Sequence, residues 1–144
     1  MTEQGVDVFF PNIMFINKDA LTQGLMINML KTMHCGDIMV FEEPTQALRT
    51  LQENVGYFDI VISDSHFRNM SCTEFLKTFR SMDNTTPVLM VTGKASRDLL
   101  IEAIKAGVND CLATPFGRKD LLTKVQKLIQ DRRESHKSVA ANVC

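Results

Sequence analysis

Several polar or charged side chains in this 144-residue chain stand directly at the end of an apolar run. Asp64 follows the run 59–63 (DIVIS), and a carboxylate fixed at such a rim can ligate a cation, accept hydrogen bonds or act as a nucleophile. Thr92 and Gly93 follow the run 87–91, which sets a hydroxyl beside a residue that leaves room for it. Asn17, Lys18 and Asp19 follow the run 12–16 and offer an amide, an ammonium and a second carboxylate. Glu42 and Glu43 follow 37–41, and Thr114 and Pro115 follow 110–113. Other chemistries have less footing. No Gly-rich phosphate loop follows the first run, and there is no GxSxG elbow, HExxH helix or EF-hand loop. His34, His66 and His136 lie far apart without ligand spacing and read as surface or loop residues. Cys35, Cys72, Cys111 and Cys144 lack CxxC spacing and read as reduced thiols, some of them buried.

These side chains converge only if the runs are neighbouring strands. The runs 12–16, 37–41, 59–63, 87–91 and 110–113 are mostly continuous rather than alternating, as in strands covered on both faces. Between them the apolar period becomes helical. The stripes are Leu21, Leu25, Met26, Met29, Leu30 and Met33; Ala47, Leu48, Leu51 and Val55; Phe75, Leu76 and Phe79; Leu100, Ile101 and Ile104; and Leu121, Leu122, Val125, Leu128 and Ile129. Pro44 suits a first helical turn and Gly107 a C-terminal stop. The alternation predicts an α/β fold of the flavodoxin-like (βα)5 type: a doubly wound, five-stranded parallel sheet of order 2-1-3-4-5 with helices on both faces. In such sheets ligands sit beyond the carboxyl ends of the strands where the order reverses, here between the first and third strands. That sets Asp64 beside Asn17 and Lys18.

Hydrophobic residues make up 44% of the chain and charged residues 23%, the balance of an ordinary globular domain. A formal net charge of -1 with scattered Lys and Arg supplies no field for nucleic acid. No apolar run is long enough to span a bilayer, and the first residues lack the basic region of a secretory signal. With reduced thiols, a cytoplasmic protein is expected. Residues 1–11 are expected to form an N-terminal extension, with 6–10 as an extra extended segment. Residues 12–131 form the domain, and 132–144 a fraying helix end, tail or linker.

The stretches DIVISDSHFRNMSCTEFLKTFR and PVLMVTGKASRDLLIEAIKAGVNDCLATPF resemble the response-regulator receiver family, the CheY-like domains. The first is similar to that family's third strand through third helix, the second to its fourth strand through fifth. The likeness spans roughly residues 12–130 and lies in order and spacing rather than in one motif. It implies a two-component, phosphorelay signalling module rather than an enzyme. Asp64 takes the place that accepts a phosphoryl group from a histidine kinase. Thr92 takes that of the switch hydroxyl, Gly93 the small place beside it, and Pro115 that of a proline after a cis bond.

The resemblance also marks departures. Family members end the first strand with an acidic pair that holds Mg²⁺, where this chain has Asn17 and Lys18. Asp19 comes one place late, where its carboxylate can cap the first helix. Thr114 replaces the lysine before the proline, and Cys111 stands nearest the usual aromatic place. Arg68 and Asn69 replace Pro-Gly in the loop that also carries His66. A complete family site is net negative and attracts a divalent cation. Asp64 and Lys18 sum to zero, and an ammonium repels the metal. Two arrangements are open: Lys18 pairs with Asp64 and replaces the missing charge, or Lys18 points to solvent.

The leading expectation is therefore an atypical receiver, degenerate in its phosphorylation site, that works through protein–protein contact with weak or no Mg²⁺-dependent phosphorylation. Its partners would be a histidine kinase or another signalling protein, an attached output domain, or a second copy docked through the fourth and fifth helices. A second expectation is a conventional receiver phosphorylated on Asp64, with Mg²⁺ held by Asp64 and Asp19 or Glu42. A third, from another class, is a small flavodoxin-like enzyme or cofactor binder, since fold alone does not fix function.

Overall fold

The computed structural model describes residues 9–93 and 96–143, with side chains as far as Ser135. In chain order the elements are β1 (Ile13–Ile16), α1 (Ala20–Leu30), β2 (Ile38–Phe41), α2 (Pro44–Glu53), β3 (Ile60–Asp64), α3 (Cys72–Met82), β4 (Val88–Thr92), α4 (Arg97–Ala106), β5 (Asp110–Ala113) and α5 (Arg118–Val143). The strands form one parallel sheet in the order β2-β1-β3-β4-β5, as the alternation predicts.

Strand parity builds two cores. Ile13, Phe15, Ile60, Ile62, Leu89 and Val91 face α1 and α5, meeting Met26, Leu30, Leu121, Val125 and Ile129. Met14, Ile16, Val61, Val88 and Met90 face the other way, against Ala47, Leu48 and Leu51 of α2, Phe75, Leu76 and Phe79 of α3, and Ala103 of α4. Strands covered on both faces need apolar residues at every position, which is why β1 and β4 are buried along their whole length. The helix starts follow local chemistry. Asp19 caps α1, Pro44 opens α2, and Ser71 with Glu74 forms a reciprocal capping box on α3.

Two helices turn differently from their expected stripes. In α1 Leu21 and Leu25 are 72% and 51% exposed, while Met26 and Leu30 are buried. In α4 Ile101 and Ile104 are 39% and 63% exposed, and the buried residue is Ala103. Both helices carry large apolar residues on more than one face, so periodicity alone left their rotation open. Val55, past the end of α2, is also exposed. Residues 6–8 of the expected extra segment lie outside the described residues, and Phe9 and Phe10 are not in a strand. The last helix continues past Asp131. α5 runs on to Val143, Arg132 Nη1 donates to the Phe58 carbonyl (3.2 Å), and the Arg133 guanidinium stacks on the Phe9 ring at 3.9 Å.

The sheet end opposite Asp64 is fastened by Arg80. Its Nε and Nη2 donate to the Gly107 carbonyl (3.0 and 2.8 Å), and Nη1 donates to the carbonyls of Asp83 (3.2 Å) and Thr86 (2.7 Å). Nη2 also reaches Asn109 Oδ1 at 2.9 Å. Gly107 closes α4 with φ +115°, and a Cβ there would stand 2.8 Å from Arg80 Cγ. Glycine is thus required both by conformation and by the arginine lying across it.

Asp83 organises the turn into β4. Its Oδ1 accepts from Thr85 N (2.8 Å) and Thr86 N (3.0 Å), and its Oδ2 accepts from Thr86 Oγ1 (2.6 Å). Burial pushes its pKa up, but hydrogen bonds from Thr86 and Thr85 outweigh it and hold the group down at about 2. Because folding depresses this pKa, the stability Asp83 contributes is whole above about pH 4, near the unfolded value. It is lost as pH falls through about 2. The denaturation midpoint is expected to fall more steeply between those limits in the wild type than in Asp83→Asn. Parallel urea titrations of the two proteins check this, and equal slopes would count against it.

Candidate functional site

Asp64 is the last residue of β3, paired with Val91 of β4, and it is half-buried. One strand over, Ile16 closes β1 opposite Ser63, so the next residue, Asn17, arrives beside the Asp64 carboxylate. Asn17 is only 9% exposed, and both ends of its amide are engaged. Its Nδ2 donates to Asp64 Oδ2 at 3.4 Å, a long bond, and its Oδ1 accepts from Asp19 N at 2.7 Å. The orientation is dictated by the partners, since a backbone N–H can only donate and an ionised carboxylate only accept. Gln23 Nε2 ties down the Asn17 carbonyl at 2.5 Å. The other oxygen of Asp64, Oδ1, accepts from Ser65 N at 2.7 Å.

A second chain of hydrogen bonds runs across the site. Ser65, 4% exposed, donates its hydroxyl to Thr92 Oγ1 at 2.8 Å, and Thr92 itself is 1% exposed. On the other side of Ser65 Oγ, at 2.8 Å, stands Nδ1 of the exposed His66 ring. Thr114 N donates to the Thr92 carbonyl (2.9 Å), and the Thr114–Pro115 bond is cis. Gly93 keeps the two loops close, since a Cβ there would meet Thr114 Oγ1 at 3.0 Å.

The Lys18–Asp64 ion pair does not form. Lys18 is exposed, and its ammonium has no ion pair or hydrogen bond among the described residues. Asn17 turns into the site at the end of β1, and the next residue turns away from it. The partner that reaches Asp64 is therefore the amide. Asp19 is committed elsewhere: its Oδ2 accepts from Thr22 N (2.9 Å) and Thr22 Oγ1 (2.5 Å), and these bonds lower its pKa. Glu42 is exposed on the rim, and Glu43 stands at the start of α2. Among the described residues no three His, Cys, Asp or Glu side chains are grouped to hold a metal ion. Cys72 lies under the site with Sγ 3.9 Å from Ser63 Oγ, and burial pushes its thiol up to about 11. It is a protonated core thiol at neutral pH. No helix among the described residues is long and apolar enough to cross a membrane.

Sequence reasoning missed Ser65. No periodicity marks a loop serine; what singles it out is Thr92, 27 residues further on and adjacent only through the sheet.

A 2-1-3-4-5 parallel sheet, with an aspartate ending the third strand, a threonine ending the fourth and a cis proline after the fifth, is the architecture of a CheY-like receiver. The family model described as "Response regulator receiver domain" matches residues 13–126, and the chain belongs to that family. It is 29% identical over 120 residues to the chemotaxis protein CheY of Pseudomonas aeruginosa, covering 82% of this chain and 95% of that one. It is also 29% identical over 121 residues to the transcription factor SKN7 of Saccharomyces cerevisiae, covering 84% of this chain but 19% of that longer protein. Among solved structures, a CheY-like receiver domain protein from Methanospirillum hungatei superposes with a TM-score of 0.81 at 18% identity, covering 88% of this chain and 99% of that one. The receiver domain of a sensor histidine kinase from Pseudomonas aeruginosa, solved with a magnesium ion coordinated in its active-site cleft, gives 0.76 at 20% identity, covering 85% and 99%.

Proposed function

We propose that this chain is an atypical receiver module of two-component signalling, with Asp64 at the phospho-acceptor position and Thr92 as the switch residue, acting through protein–protein contact. The observation that carries this reading is the Asn17 amide, which presents N–H rather than oxygen to Asp64. Mg²⁺ takes a near-octahedral shell of oxygens, usually with one or two carboxylates. Here the switch point supplies a single carboxylate and an amide whose oxygen is already bonded to Asp19 N, while the exposed Lys18 side chain offers no oxygen at all. This donor set does not fit the ion. The charge that would offset developing negative charge during phosphoryl transfer is missing with it.

The module's partners would be a histidine kinase or another signalling protein, an attached output domain, or a second copy. The outward Ile101 and Ile104 of α4 favour the α4–β5–α5 side as the contact face. A cytoplasmic location fits such partners. The competing reading, a conventional receiver, draws support from the retained Asp64 and Thr92 and from the magnesium in the Pseudomonas structure. Its alternate ligand Asp19 would have to give up the α1 cap that it forms with Thr22 N. An enzyme or cofactor binder has only the fold in its favour. Incubation with acetyl phosphate and Mg²⁺, followed by intact-mass measurement, is expected to leave the protein unmodified. A stoichiometric adduct that disappears in Asp64→Ala would establish the conventional reading instead.

A further inference from the structure

We propose that Ser65 is a positioning residue that couples the exposed His66 ring to the buried Thr92 hydroxyl, giving the surface loop after β3 its own route to the switch residue, independent of any phosphoryl group on Asp64. The inference rests on Thr92 being the switch residue and deepens that reading.

Geometry carries it. Two bonds of 2.8 Å meet at one oxygen, Ser65 Oγ, linking a ring on the surface to a hydroxyl that is 1% exposed. Ser65 has a single hydroxyl proton, and it goes to Thr92 Oγ1. The contact to His66 must therefore run the other way, with Nδ1–H donating to the serine lone pair. Turning the ring away removes that donor and frees the hydroxyl to rotate, which loosens its hold on Thr92. The serine cannot move far in answer. Its N–H is bonded to Asp64 Oδ1 at 2.7 Å and its side chain is enclosed, so the response is a rotation about its own Cα–Cβ bond. The loop is in turn pinned by the bridge between His66 and Ser71, at the start of α3. A contact made on His66 thus reaches Thr92 through two hydrogen bonds and no backbone rearrangement. Asp64 shares the loop through its bond to Ser65 N, but the hydroxyl chain does not pass through its carboxylate.

The test uses the whole chain, isotope-labelled for NMR, in buffer without Mg²⁺ or phosphoryl donor. The readouts are the Thr92 amide and methyl resonances and its χ1 rotamer from three-bond couplings. Ser65→Ala and His66→Ala are both expected to move the Thr92 signals and broaden its rotamer distribution, while Met39 on the far edge strand stays in place. His66→Asn, whose amide N–H₂ falls near the place of Nδ1, is expected to restore them. His66 is on the surface, so its variants remain informative even if Ser65→Ala folds poorly. A melting-temperature cycle of His66→Ala with Thr92→Val is expected to be non-additive. Thr92 signals unmoved by His66→Ala, or an additive cycle, would overturn the coupling. Because no phosphoryl chemistry is involved, that failure would leave the reading of Asp64 standing. Acetyl phosphate labelling would do the reverse.

Discussion

Replacing Arg80 by alanine is expected to lower stability by about 3 kcal/mol, and the melting temperature by roughly 10 °C in a chain of this size. The guanidinium is donor to four separate acceptors on three stretches of chain: the α3 end and the turn after it, the Gly107 carbonyl just past α4, and the residue before β5. Hydrogen bonds from a charged donor contribute roughly 1.5–3 kcal/mol each when isolated. They are not additive here, because one side chain makes them all. The larger cost is what truncation leaves behind. The Gly107 and Thr86 carbonyls lose their guanidinium donors, and Asn109 Oδ1 keeps only Val88 N. Arg80→Lys is expected to recover little, since an ammonium on a flexible stem cannot span Gly107 and Thr86 at once as the planar fork does. Thermal denaturation of both variants checks the claim. A lysine variant as stable as wild type would show that charge near the α4 C-terminus, rather than the fork, is what matters.

Arg80 also illustrates what can be read from the chain alone. Strand order and the place of Asp64 were legible because β1, β3 and β4 are apolar up to their last one or two residues and because parallel crossovers leave few topologies. Arg80 was not legible: its partners are mostly backbone carbonyls, which have no residue-type signature. The rotations of α1 and α4 were ambiguous for a different reason. Leu21 and Leu25 lie on an outward face as apolar as the inward one that carries Met26 and Leu30. At the site, residue types left open a charge pair between Lys18 and Asp64 or a solvent-facing lysine, and parity at the end of β1 assigns the contact to Asn17. A lysine's charge is visible in a sequence; the direction of the preceding amide is settled only by the Asp19 N–H that holds its oxygen.

Asn17 is therefore where the site should be reversible. The double substitution Asn17→Asp/Lys18→Asp restores two carboxylates at the end of β1 while keeping an oxygen for the Asp19 N–H, so the α1 cap survives. Without a cation the new carboxylate faces Asp64 across the 3.4 Å now bridged by the amide. Like charges about 4 Å apart repel by about 4 kcal/mol at an effective dielectric of 20, and protonation of one group relieves part of that. In EDTA at neutral pH the variant is expected to melt below wild type. Mg²⁺ at a hundred times its dissociation constant then adds about 2.7 kcal/mol, raising the variant's melting temperature by roughly 5–10 °C. Wild type, with an amide N–H and an ammonium in those places, is expected to show no Mg²⁺-dependent rise. Adding Thr114→Lys supplies the remaining charge of the family pattern, and acetyl phosphate labelling of Asp64 is expected only in the restored protein. If Mg²⁺ raises wild type and variant equally, Asn17 and Lys18 do not keep the ion out, because it would then have found its ligands without either restored carboxylate.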